Sequence, residues 1–232
     1  HFLHDGIPMP TRQATWTPRK PQPQSRTPNP AIADCLLTLL AHPNIASKHW
    51  IVRQYDHEVQ GNTVVKPLCG PGGRGPSDGA VVQPVPGSPR AIALACGLQT
   101  GIGDPQLGGD PYTMVLASID ECVRNLVCCG ADPRRIAILD NFCWPSCDRP
   151  ENMGMLVRAA EACYDGAKAY HTPFVSGKDS LNNQLRYTDP ATGQARVIEI
   201  PPTLLITGLG LVRNAARCVT MDAKSPGNVL LL

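Results

Sequence analysis

The stretch RRIAILDNFCW, residues 134–144, decides the architecture. Ile136 to Leu139 form an unbroken apolar run too short for a helix, which predicts a strand covered on both faces. A helical pattern follows over about 151–170 and places Met155, Ala159, Ala162, Cys163 and Ala167 on one side. TPFVSG, residues 172–177, then reads as a second buried strand. A strand, a long helix and a strand in succession predict a layered domain in which sheet and helices cover each other's apolar faces.

Working outward, PYTMVLASIDECVRNLVCCG (111–130) predicts the other long helix. Pro111 follows Asp110 as a first helical residue follows its cap, and Gly130 supplies the stop. Leu116, Ile119, Val123, Leu126 and Val127 form its apolar stripe. Upstream, AVVQPV and AIALACG read as strands joined by PGSPR, after a glycine loop, GPGGRGPSDG, and a short strand at Val64-Val65. KHWIVRQ is a short helical turn, and Ile32, Cys35, Leu36, Leu39 and Leu40 predict a helix closed by His42-Pro43. Downstream, a hairpin-like excursion through TDPATGQ leads to the strand PTLLITGLGLV. The fold class expected is α+β, an α/β sandwich over residues 55–213 with a sheet and two long helices. Residues 1–30, with seven prolines between 8 and 30, read as the end of a preceding domain and a linker; 31–54 form a connecting helix, and 214–232 start a further domain. With no Met before HFLHDGIP and a strand-like run at GNVLLL, both ends are expected to be cuts in a longer chain.

The 21 basic and 19 acidic residues leave a net charge of +2, the basic residues are scattered, and 5% of residues are aromatic. A nucleic-acid surface needs a basic stripe with interleaved aromatics, so no such partner is expected. The ten cysteines lie mostly within apolar segments (Cys96, Cys122, Cys128, Cys129, Cys163, Cys218), there is no CxxC, and Cys143 and Cys147 lack a second ligand pair. They are read as buried free thiols in a reducing cytoplasm. No stretch approaches the roughly 18 apolar residues of a membrane helix, and no membrane is expected as a partner.

The polar residues carry the chemistry. FVSGKDSLNNQ (174–184) reads as a strand running into a polar loop. It fails as a Walker phosphate loop, because Thr172 stands where the first glycine belongs and Asp179 where Ser or Thr belongs. What remains is Gly177 for close approach, Lys178 for phosphate, Asp179 for a hard cation and Ser180 as a donor. Glu121 and Asn125, four apart, share a helix face opposite the apolar stripe, which describes either a solvated face or a ligand-bearing one. Asp78 precedes a strand between a serine and a glycine, as in a plain turn or a ligand-facing one. Asp140 ends the strand IAILD, where it serves a ligand or caps a turn. Asp148 is a candidate N-cap. Nucleotide-bound Mg²⁺ takes a few protein oxygens plus phosphate, and Asp78, Glu121, Asn125 and Asp179 offer such oxygens if the fold assembles them. His1 and His4 lack further ligands; His42, His49, His57 and His171 read as surface or capping residues, and no cysteine stands as a nucleophile.

FLHDGIP, YDHEVQGNTVVKPL, GPSDGAVV, AIDECVRNLVCCGADPRRIAILDNFCW, AAEACYDGAKAYHTPFVSGKDSLNN and IPPTLLITGLGLV together resemble the phosphoribosylformylglycinamidine synthase family, in order over most of the chain. The resemblance implies an aminoimidazole-ribotide-synthetase-like N-terminal domain over about 55–213, the second of two in the enzyme, with the start of its C-terminal domain after it. It implies an ATP-dependent ligase of purine biosynthesis that converts formylglycinamide ribonucleotide, with glutamine-derived ammonia, to the amidine, releasing ADP and phosphate. The implied cofactors are Mg²⁺ and ATP or ADP; the implied partners are a glutaminase and the first half of the synthetase as a pseudo-dimer mate. Asp78, Glu121, Asn125 and Asp179 match magnesium-holding positions, Asp140 and Gly177 match nucleotide contacts, and Ser180 matches a position touching substrate. Lys178 departs from the Asn of the small members, which shifts the metal role to Asp179 and points to a firmly held nucleotide. The family's catalytic histidine belongs to the first half and has no counterpart here, so no catalytic residue is assigned.

Overall fold

The structure is a computed structural model and describes Gly6 and residues 11–18, 31–54 and 58–229. The FLHDGIP match (apart from Gly6), His1, His4, His57 and most of the proline-rich segment lie outside the described residues. Helices α1 (Ile32–Ala41) and α2 (His49–Val52) precede strands β1 (Thr63–Val65), β2 (Leu68–Cys69), β3 (Gly75–Pro76), β4 (Gly79–Val82) and β5 (Ala91–Leu98). There follow α3 (Thr100–Gly103), α4 (Pro111–Cys128), β6 (Ile136–Cys143), α5 (Pro150–Tyr170), β7 (Phe174–Ser180), β8 (Gln184–Thr188), β9 (Ala195–Glu199) and β10 (Thr203–Val212). Six strands are hydrogen-bonded in the order β1-β4-β5-β10-β6-β7. With β4–β5 antiparallel and β6–β7 parallel the sheet is mixed, and the fold is α+β. Contacts gather the chain into two compact units. One takes in His1–Pro21, Gly97–Cys122 and Ala137–Thr207; the other takes in Gln22–Cys96, Val123–Ile136 and Gly208–Leu232.

In the first unit, β6, α5 and β7 form a strand–helix–strand crossover. Pairing is Ile138↔Phe174, then Leu139↔Ser176 through Cys143↔Ser180, so Val175 is an extra residue that bulges β7. Burial along β6 alternates, with Ile136, Ile138 and Phe142 inward and the others half-exposed. The strand is therefore covered closely on one face and not on both, as its apolar run suggested. The correction at β7 is larger: it lies at the end of the strand order, and Val175 to Asp179 are exposed. SGKDS is strand and not loop, because each of its residues has a partner on β6 to satisfy its backbone. The pairing carries on past the strands, Trp144 N–H donating to Ser180 O at 2.8 Å and Asn183 N–H to Trp144 O at 2.8 Å. Trp144 is buried and its Nε1–H donates to Asn152 O at 3.0 Å.

Helix α4 starts as expected, with Asp110 Oδ1 accepting from Tyr112 N–H at 3.0 Å. Asp110 also takes Nε and Nη2 of Arg158, on α5, at 2.7 Å each. Asp148 does not cap α5; Arg149 holds that place without a side-chain bond, and Asp148 meets Arg12 at 3.3 Å.

In the second unit, Gly79↔Ala95 through Val82↔Ile92 set the β4–β5 register, and Val65, Val81, Ala93, Leu126 and Cys129 are buried. The expected glycine loop holds a strand pair, Leu68↔Pro76 and Cys69↔Gly75. α1 forms where its spacing predicts, but none of its residues is buried and Ile32 is 88% exposed. All ten cysteines are free thiols; Cys96 and Cys128, expected inside, are exposed because they face away from the core on β5 and α4. His42 and His171 are C-caps, of α1 and α5. Among the described residues no helix is long and apolar enough to cross a membrane.

Candidate functional site

In a strand, alternate residues share a face, and opposed residues of paired strands point the same way. Asp140 thus shares the face of Ile138 and Phe142, towards the core. Its partner across the ladder is Gly177, and Asp179, opposite Phe142, is on that same face. A Cβ at Gly177 would stand 2.4 Å from Asp140 Oδ1, so only glycine lets the carboxylate lie against β7. Oδ1 is buried with no hydrogen-bond partner among the described residues. Burial, then the charge of Asp179, push the Asp140 carboxyl above its ordinary range, against a bond from the Lys178 backbone N–H. Cys163, on α5, is pushed up to about 12, chiefly by burial and then by the same two carboxylates. Two adjacent carboxylates, one with a buried oxygen that has no partner among the described residues, form a donor set suited to a hard divalent ion.

Lys178 and Ser180 fall on the other face of β7, where Lys178 Nζ donates to Ser180 Oγ. The residues of FVSGKDS therefore act from two sides: Gly177 and Asp179 with Asp140, Lys178 and Ser180 away from it.

Glu121 and Asn125 do not look into solvent as the helix pattern alone allowed. Glu121 Oε2 accepts from Leu98 N–H at 2.7 Å and Gln99 Nε2 at 3.0 Å, which ties it to the end of β5. One turn on, Asn125 Nδ2 donates to Cys96 O at 3.2 Å, a bond that does not use its Oδ1. Asp78, exposed, precedes Gly79, which pairs with Ala95 and where an added Cβ would meet Cys129 Sγ at 2.6 Å and the Asn125 carbonyl oxygen at 3.4 Å. The register thus sets Asp78 beside the β5 segment that Asn125 holds. Of the eight residues, Asp140, Gly177 and Asp179 lie on one face of β6 and β7 and Lys178 and Ser180 on the other face of β7, while Glu121 is held at the end of β5 and Asp78 and Asn125 lie beside β4 and β5. Among the described residues no three His, Cys, Asp or Glu side chains converge as a metal shell. A cavity of about 740 Å³ beside the start of α5 uses none of the eight, and its Arg149 is already paired with Glu199 at 2.6 Å.

Residues 76–212 match the family described as AIR synthase related protein, N-terminal domain. The chain belongs to this family. The family domain encloses all eight residues and both strands that carry Asp140 and Asp179. The chain is also 35% identical over 204 residues to the phosphoribosylformylglycinamidine synthase subunit PurL of Parasynechococcus marenigrum, covering 86% of this chain and 25% of that one. To the subunit of the same name from Deinococcus radiodurans it is 38% identical over 198 residues, 85% of this chain and 24% of the other. It spans about a quarter of the length of these curated relatives. Among solved structures, PurLQS from Thermotoga maritima superposes with a TM-score of 0.59 at 22% identity, over 92% of this chain and 29% of that one. T. maritima PurL complexed with ADP does so at 0.55 and 24%, over 77% and 26%. These likenesses show the same fold.

Proposed function

We propose that this chain is the nucleotide- and magnesium-holding part of a phosphoribosylformylglycinamidine synthase. That enzyme uses ATP and glutamine-derived ammonia to convert formylglycinamide ribonucleotide to its amidine in purine biosynthesis. The observation that carries the reading is the Asp140–Gly177–Asp179 arrangement, in which a buried, unpartnered carboxylate oxygen lies against a glycine beside a second carboxylate. The synthase name carried by the relatives described above supports this reading.

Bound Mg²⁺ supplies charge neutralisation at phosphate oxygens. Asp179 and Asp140 would hold it; Asp78, Glu121 and Asn125 are the other positions that the resemblance matches to magnesium ligands. Gly177 leaves the Asp140 carboxylate room against β7, next to the nucleotide that the resemblance places there. Ser180 positions substrate from the other face, with Lys178 as a supporting cation held in place by its bond to Ser180. The catalytic histidine comes from another part of the enzyme, and the glutaminase and a twin domain are its partners. These 232 residues alone are predicted to turn over no substrate.

A second reading keeps the site but gives it a structural, non-exchanging nucleotide, favoured by Lys178 pairing with Ser180 where a metal ligand would otherwise stand. Mg-ADP dissociation from the full-length enzyme, with Asp179→Ala as control, separates them. Exchange on the timescale of turnover supports the catalytic reading and slow exchange the structural one. Unchanged Mg-ADP binding in Asp179→Ala sinks both.

A further inference from the structure

In the second unit, arginines from separated segments surround one carboxylate. Asp132 lies in the turn between α4 and β6, its N–H donating to Leu211 O at 2.9 Å and its C=O accepting from Arg135 N–H at 2.9 Å. Its side chain is only 8% exposed. Oδ1 accepts from Arg134 N–H at 3.1 Å and Arg134 Nε at 3.3 Å; Oδ2 accepts from Arg213 Nε at 3.0 Å and Nη2 at 2.7 Å. Both guanidinium groups are thus fixed along one edge, while the side chains stay 77% and 69% exposed and turn their remaining N–H groups outward. Arg217 sits on the short turn Ala215–Arg217, which is anchored by Asn214 Oδ1 accepting from Ala216 N–H at 3.0 Å and by Ala215 N–H donating to Pro89 O at 2.7 Å. With Gly130, Pro133 and Asn214 these residues line a cavity of about 390 Å³.

Three guanidinium groups against one spent carboxylate leave an excess of two positive charges. A single carboxylate ligand would neutralise half of it and offer two oxygens. A phosphate dianion matches the charge and presents enough acceptor oxygens for the outer edges of all three forks. We propose that this cavity binds a phosphoryl group, as inorganic phosphate or as a phosphate monoester, through Arg134, Arg213 and Arg217, with Asp132 positioning the first two. It uses none of the eight residues considered above and does not rest on the proposed function.

The test is calorimetric titration of the full-length protein at low ionic strength, in an Asp179→Ala background, with inorganic phosphate and, separately, glycerol phosphate. Saturable one-site binding is expected; tighter phosphate binding identifies the free ion as the ligand, and tighter glycerol phosphate binding a monoester. Arg217→Gln and Arg213→Gln are each expected to weaken binding about tenfold, and Arg213→Lys several-fold, because lysine keeps the charge but loses the fork. The decisive variant is Asp132→Asn, which adds a positive charge yet releases both guanidinium groups. Positioning predicts weaker binding there, whereas a diffuse electrostatic effect predicts tighter binding and overturns the proposal. Non-saturable binding, or affinity unchanged in Arg217→Gln, whose side chain is at the surface and leaves the fold intact, overturns it as well.

Discussion

At Asp140 a carboxylate faces the core side of β6 with one oxygen buried and no donor to meet it. A group whose folded pKa is raised stabilises the fold below its unfolded pKa and loses that contribution as pH rises through the folded value. Asp140 is such a group, so at neutral pH its charge costs stability. Asp140→Asn is expected to stabilise the apo protein by about 1 kcal/mol at pH 7, read as a rise in thermal midpoint, and to weaken Mg-ADP binding. A lower midpoint would show that the carboxylate is satisfied after all. Asp132 has the opposite sign. Hydrogen bonds from Arg134, first its backbone N–H, and then Arg213 hold it at about 2. Its contribution is therefore present above about pH 4, the unfolded carboxyl range, and is lost as pH falls towards 2. Carbon-detected titration should find that midpoint, and Arg213→Gln should move it up. The sequence marks Asp140 and Gly177 as separate candidates 37 positions apart. That one rests on the other is a fact of strand register, which no local pattern encodes.

Among the elements, α4, α5 and most strands are legible from periodicity, caps and turn residues, because those signals are local. β7 is not. Its SGKDS segment has the composition of a loop and becomes strand only because β6 offers it a parallel ladder, with the bulge at Val175 absorbing one residue. The alternating burial of β6 likewise depends on what covers each face, and an apolar run cannot report that. The helix–sheet contact is sharpest at Gly97, where an added Cβ would stand 1.9 Å from the Ser118 carbonyl oxygen. Gly97→Ala must push the backbone of α4 off β5, and a loss of about 3 kcal/mol or more is expected in urea unfolding. It also carries away Glu121, which β5 holds through Leu98. At the start of α4, Asp110→Ala removes a cap and the Arg158 bond together, with an expected loss of about 1–2 kcal/mol.

For the molecule as a whole, ligand linkage gives the broadest check. Mg-ADP at a hundredfold excess over its dissociation constant should stabilise the full-length protein by about 2.7 kcal/mol. A chelator should reverse the shift and Asp179→Ala abolish it, whereas an equal shift from ADP without the metal would remove magnesium from the reading. The sequence by itself determined the fold class, the two long helices and a family resemblance, because hydrophobic period, helix stops and ordered motifs are written along the chain. Only the tertiary structure decided which polar residues meet. It set Asp140 against Gly177 and beside Asp179, turned Lys178 and Ser180 to the other face, tied Glu121 and Asn125 to β5, bound Arg134 and Arg213 to Asp132, and brought Arg217 to the same cavity. The physical reason is that burial, charge repulsion and hydrogen bonding act through space between segments, and their partners are set by strand register and chain reversal rather than by neighbours in sequence.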